Sequence, residues 1–281
     1  MLPLRATDPS AASPRRRRRA VATLAVAGLL LGVPTSAVAS APLPPVRYAA
    51  LGDSYSAGVG TGRDDVAGPP CERSSLGYPQ LWAATHPGTA LTFLACSGAR
   101  IAGVRKQQVP AVPRDATLVT VTMGGNDVGF SPVIAVCSTV PGEHACSVAV
   151  KVATAIAVTE VPLELTLTLL AVHRRAPHAR VVVLGYPRLF ELGACTGRVP
   201  DAGRRALIDR GTDRLDDVLG RTATALGARF VDVRGAFAGH GVCAAPGQAW
   251  INGPDGGPGA YHPTATGYAA GYLPLLSAVT G

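Results

Sequence analysis

A chain of 281 residues that is 47% hydrophobic and 16% charged, with a mean hydropathy of +0.25, is too apolar to be a disordered polymer. Its net charge of +8 suggests a nucleic-acid partner only until the charge is located: residues 1–39 carry six arginines and one aspartate, and the rest has 20 basic against 17 acidic residues. In that remainder the basic residues form no stripe with interleaved aromatics, which argues against nucleic-acid binding.

Arg15 to Arg19 precede the apolar run Ala20 to Val33, followed by Pro34, Thr35, Ser36 and the small triplet Ala37-Val38-Ala39. This is the order of a secretory signal peptide, with cleavage near Ala39 and an extracellular product spanning residues 40–281 as a single domain. The run is shorter than the roughly 20 residues needed to cross a bilayer and no later stretch is both long and uninterrupted enough, so no stable membrane insertion is expected after cleavage, an uncleaved N-terminal anchor being the alternative. General and twin-arginine export both remain open. All six cysteines, Cys71, Cys96, Cys137, Cys146, Cys195 and Cys243, fall in the exported part. An even count in an oxidising compartment points to disulfides. About fifteen pairings exist and the count does not choose among them, although pairing neighbours in order closes local loops without threading. No Cys-x-x-Cys pair is present, and no metal is expected.

In the body, short β-rich runs alternate with helical stretches. Strands are expected at Arg47–Leu51, Leu91–Ala95, Ala116–Met123, Arg180–Leu184 and Arg229–Val233. Helices are expected at Tyr78–Thr85, Ser147–Arg175 with a kink or break at Pro162, Asp201–Leu226, and from Thr264 to the end. Alternation of this kind predicts a mostly parallel sheet covered on both faces, with ligands outside the carboxyl ends of its strands. The polar, glycine-bearing segments 52–58, 96–98 and 124–127 all fall there.

Ser54 lies in Gly52-Asp53-Ser54-Tyr55-Ser56, directly after the first strand. It is placed either to cap a helix or to present a hydroxyl beside that helix's amides. A nucleophilic serine needs a histidine within reach. His86, His173 and His178 sit at expected helix ends, and His144 and His240 in short loops. His262 follows the Pro/Gly-rich stretch Ala245–Gly259 and precedes the last helix, as a loop-borne base would. The backbone N–H groups of Ser54 and Gly98 with the Asn126 side-chain amide would supply three donors to a developing oxyanion, although Gly98 and Asn126 are also ordinary turn residues. Val128, Phe130, Val133 and Ile134 are candidates for an acyl pocket or for plain core.

Taken together, Gly52-Asp53-Ser54, Gly98, Gly124-Gly125-Asn126-Asp127 and His262-Pro263 resemble the four blocks of the SGNH, or GDSL-type, hydrolases, in the same order across about residues 46–281. The cysteines and leader make the chain similar to the secreted actinobacterial lipases and esterases, whose three disulfides pair in sequential order. The resemblance implies a three-layer α/β/α flavodoxin-like fold on a mostly parallel five-stranded sheet. It also implies Ser54 as nucleophile, His262 as general base and acid, and Ser54, Gly98 and Asn126 as oxyanion hole. Many members carry an aspartate three residues before the histidine, and Gly259 stands there in this chain. The Gly259 main-chain carbonyl is therefore the first candidate to orient His262, and Asp255 the second. The expected activity is that of a secreted, monomeric serine esterase or lipase acting on a small-molecule or fatty-acyl lipid ester, without cofactor. A phospholipase, a carbohydrate O-acetyl esterase, a metallohydrolase, and a lipid- or glycan-binding module that has lost turnover are the alternatives.

Overall fold

The computed structural model describes residues 45–66 and 70–281, so the expected leader over residues 1–39 lies outside the described residues. Five strands, β1 Arg47–Gly52, β2 Ala90–Phe93, β3 Leu118–Thr122, β4 Arg180–Leu184 and β5 Arg229–Val231, form one parallel sheet in the order β2-β1-β3-β4-β5. Every residue of β3 is buried, as is all of β1 after Arg47. Central strands covered on both faces require continuous apolar runs rather than alternation, which is why Tyr48-Ala-Ala-Leu51 and Leu118-Val-Thr-Val121 read as they do.

Helices α1 Ser54–Ala57, α2 Tyr78–Thr85, α3 Ile101–Gly103, α4 Phe130–Thr139, α5 Glu143–Thr159, α6 Val161–Arg175, α7 Ala202–Ala225 and α8 Leu273–Thr280 complete the fold. Right-handed crossovers send the β1–β2 connection to one face and the later ones to the other. Accordingly α2 packs with α8, while α6 packs with α3, α5 and α7, and α5 with α7, as a second layer. The expected kink at Pro162 is a full break. The chain turns by 43° at Glu160, and Pro162 sits in the first turn of α6, where its missing N–H costs no helical bond. The C-terminal helical segment opens with a π-helical turn, Gly267–Tyr272, before α8. Helix α4 has no counterpart among the expected elements.

The three disulfides are Cys71–Cys96, Cys137–Cys146 and Cys195–Cys243, the sequential pairing. Among the described residues no single helix is long and apolar enough to cross a membrane, and no group of three or more His, Cys, Asp or Glu is placed to hold a metal.

Candidate active site

The order of strands reverses at β1 and β3, and the site is built on the carboxyl ends of those two strands. β1 ends at Gly52 with φ +123, and a Cβ there would lie 2.2 Å from the Thr122 carbonyl oxygen, so only glycine lets the chain turn against β3. The Gln108 side chain holds both main-chain groups of Gly52, accepting its N–H at 2.8 Å and donating to its carbonyl at 2.9 Å. Asp53 then caps α1, its carboxylate accepting the Tyr55 N–H at 3.0 Å. Ser54 is the first residue of that helix, so its own N–H has no partner inside the helix and forms part of the helix's positive end.

His262 arrives from the far end of the chain. Its Nε2 lies 2.7 Å from Ser54 Oγ, and its Nδ1 lies 2.9 Å from the Ala260 carbonyl oxygen. A carbonyl only accepts, so Nδ1 carries the proton and Nε2 is the acceptor facing the serine. Tyr261, between the two, has φ +60, a strained conformation for a tyrosine. It is held there by the Tyr55 hydroxyl, which donates to the Tyr261 carbonyl at 2.6 Å, and by the Tyr261 N–H, which donates to Asn252 O at 3.0 Å. Burial pushes the His262 imidazole below its usual range, partly opposed by the Ala260 carbonyl, so the ring is neutral near neutral pH.

Both expected orienting groups are corrected by this geometry. The Gly259 carbonyl accepts the His262 main-chain N–H at 3.1 Å rather than its ring N–H, because the left-handed turn at Tyr261 brings the next carbonyl, that of Ala260, under the imidazole. Asp255 lies on the surface, 79% exposed at its side chain, 3.9 Å from Arg198.

The other two blocks are stitched to one another beside the serine. The Asn126 Nδ2 donates to the Ala99 carbonyl at 3.0 Å, and the Asp127 carboxylate accepts the Ile101 N–H at 3.1 Å. One Asn126 N–H is thereby used to fix the amide, and a second remains for a ligand. The Cys71–Cys96 disulfide adjoins Gly98, and Ser97 N–H donates to Cys71 O at 3.1 Å. Ser54, Gly98, Asn126 and His262 all line one cavity of about 280 Å³. Its apolar wall comes from Val128, Phe130 and Val133, as expected, and also from Val150, Ala153 and Ala157 of α5 and Ile208, Gly211 and Leu215 of α7. Ile134 lies in the core instead. The wall residues of α5 and α7 and the lining residue Tyr186 were not legible as site residues, since nothing local separates them from ordinary core.

A hydroxyl bonded to a neutral imidazole, with amide donors beside it and an apolar cavity in front, can attack a carbonyl group and stabilise the charge that develops on its oxygen. On this sheet, that arrangement places the protein among the α/β ester hydrolases. The model of the GDSL-like lipase/acylhydrolase family matches residues 50–270, and the chain belongs to that family. It is 40% identical to a lipase of Streptomyces rimosus, over 95% of this chain and 98% of that protein, and 39% identical to Lipase 1 of Streptomyces coelicolor, over 90% and 94%. The crystal structure of an extracellular lipase from Streptomyces rimosus matches with a TM-score of 0.78 at 41% identity, covering 84% of this chain and 100% of that one. That of a phospholipase A1 from Streptomyces albidoflavus matches with a TM-score of 0.79 at 37% identity, covering 83% and 99%. The chain is an ester hydrolase of the lipase and esterase type.

Proposed function

We propose that the protein is a secreted serine esterase that hydrolyses fatty-acyl esters through Ser54 and His262, the observation that carries this being the 2.7 Å contact between Ser54 Oγ and His262 Nε2 at the end of an apolar cavity wall. Ser54 Oγ attacks the ester carbonyl carbon while Nε2 takes its proton. The oxyanion receives the N–H groups of Ser54 and Gly98 and the free Asn126 amide N–H. The imidazolium returns the proton to the leaving alkoxide, and water repeats the sequence on the acyl-enzyme. The Ala260 carbonyl fixes the tautomer, so the chemistry is that of a Ser-His dyad supported by main chain. It calls for no metal or organic cofactor. Residues 1–39 are read as the leader and residues 40–281 as one monomeric, extracellular domain, in keeping with the disulfides and with the extracellular relative.

A phospholipase is the second reading, favoured by the likeness to the phospholipase A1. It uses the same acyl chemistry with a different leaving group.

The test is hydrolysis of p-nitrophenyl esters from acetate to palmitate by the exported protein and by Ser54→Ala. Turnover should fall by roughly 10⁴-fold or more in the variant, and a serine-directed phosphonate should label only the parent. Full activity in Ser54→Ala would end the serine reading. Failure of both turnover and labelling in the parent would point to a binding module. Release of fatty acid from a diacyl phosphatidylcholine faster than from a matched p-nitrophenyl ester would select the phospholipase.

A further inference from the structure

We propose that Tyr186 is a positioning residue for ester hydrolysis, because its single hydroxyl joins the Asp53 carboxylate beside Ser54 to the main chain of Gly125 beside Asn126. The inference rests on the serine reading above and adds a residue to it.

Tyr186 follows the carboxyl end of β4. Its hydroxyl donates to Asp53 Oδ2 at 2.5 Å and accepts the Gly125 N–H at 3.0 Å. The other Asp53 oxygen accepts the Tyr55 N–H, so the carboxylate links the tyrosine directly to the turn that carries the nucleophile. Gly125 adjoins Asn126, so the same oxygen atom also sets the height of the loop that carries the oxyanion donor. Nucleophile and donor must reach one carbonyl group with an error of about 0.5 Å, and they sit on different strands whose ends have no obligation to agree. The tyrosine supplies that agreement.

Tyr186 is itself held as a rigid strut. Its N–H donates to both oxygens of Asp216, a fully buried carboxylate on α7, at 2.9 and 3.2 Å. A Cβ on Gly185 would lie 2.5 Å from Asp216 Oδ2, so glycine is required for this approach. The Gly185 carbonyl accepts the Tyr272 hydroxyl at 2.9 Å. The Tyr186 ring packs edge-on against Tyr55, with centroids 5.0 Å apart, and Tyr55 in turn holds the Tyr261 carbonyl next to His262. Burial raises the Asp53 carboxyl to about 7, while the Tyr186 hydroxyl and the Tyr55 N–H act to lower it, so these two bonds favour the ionised, doubly accepting form.

The experiment is Tyr186→Phe, which removes one oxygen and leaves the ring packing. Thermal stability should fall, and a structural role alone would stop there. A positioning role predicts in addition that kcat of the folded variant falls by about 10- to 100-fold with KM for the p-nitrophenyl ester changed by no more than about 2-fold. In an Asn126→Ala background, Tyr186→Phe should lose most of its effect on kcat, because the donor it aligns is gone. Unchanged kcat in the folded single variant, or effects that multiply fully in the double variant, would overturn the proposal. If Tyr186→Phe does not fold, Asp53→Asn serves, since an amide cannot accept with both atoms. It should lower kcat at constant KM, and normal kcat would overturn the proposal equally. Ser54→Ala measured in parallel separates the two levels: activity there removes the serine reading and this one with it, whereas an inert Ser54→Ala beside a fully active Tyr186→Phe removes only the role of Tyr186.

Discussion

The carbonyl of Ala260 lies 2.9 Å from His262 Nδ1, in the place where a carboxylate would otherwise stabilise an imidazolium. A neutral acceptor fixes the ring and its tautomer without adding a negative charge, and burial is the largest influence on the ring, holding its affinity for protons below the usual range.

From this follows the pH dependence. A base works only when neutral, so kcat/KM should rise with pH through a midpoint below the ordinary imidazole value of 6.5. Because Asp255 is exposed and faces Arg198, Asp255→Asn should leave both that midpoint and kcat within about 2-fold of the parent, the scatter of an ordinary surface change. A pH–rate profile of the two proteins checks this, and a large loss in the variant would return Asp255 to the site.

Stability should depend on pH in the opposite sense. Burial raises the carboxyls of Asp53 and Asp209 to about 7 and that of Asp216 well above its ordinary value. These groups bind protons more tightly folded than unfolded, so their contribution is fully present below about pH 4 and is lost as pH rises, through about 7 for Asp53 and Asp209 and through its own raised value for Asp216. His262, with its depressed affinity, opposes this by losing its contribution as pH falls through its folded value. Three carboxyls outweigh one imidazole, so Tm should be higher near pH 6 than near pH 8. Asp209→Asn keeps an acceptor for the Leu189 and Phe190 N–H groups and should flatten the slope. A calorimetric Tm series that climbs steadily over this interval would contradict the assignment.

Two disulfides should separate stability from turnover. Cys195–Cys243 spans 48 residues and Cys71–Cys96 spans 25, so removing either should cost about 2–4 kcal/mol. Only the second anchors the strand end that leads to Gly98, through Cys96 N–H to Gly52 O at 3.0 Å and Ser97 N–H to Cys71 O. Paired Cys→Ala variants assayed well below their Tm should therefore show reduced kcat for the Cys71/Cys96 pair and parental kcat for the Cys195/Cys243 pair.

Acyl length should be set by the small side chains of α5. Ala153 and Ala157 line the cavity together with the α7 residues Ile208 and Leu215. Ala153→Phe or Ala157→Phe would occupy space that a long chain needs, lowering kcat/KM on the palmitate ester by about 10-fold or more while the acetate ester stays within about 2-fold. Equal losses on both esters would mean that the cavity does not receive the acyl chain.

The local chain determines much of this protein. Period and composition placed all five strands and most helices, because buried parallel strands need unbroken β-branched and apolar runs and helices need their own spacing. Ser54, Gly98 and Asn126 stand in short motifs after strand ends, where glycine and polar residues mark the turns, His262 stands in a loop before the last helix, and the four converge on one cavity. What tertiary structure decided is whatever depends on the angle between segments far apart in the chain. The identity of the group at His262 Nδ1 turns on one left-handed residue, Tyr261, whose conformation is held by Tyr55, 206 positions away. Tyr186 reads as an unremarkable residue after a strand, and only the parallel pairing of β1, β3 and β4 brings its hydroxyl between Asp53 and Gly125. Local periodicity records which face of an element is buried, whereas the partner of a buried polar atom is set by strand order and register, which no short window of sequence contains.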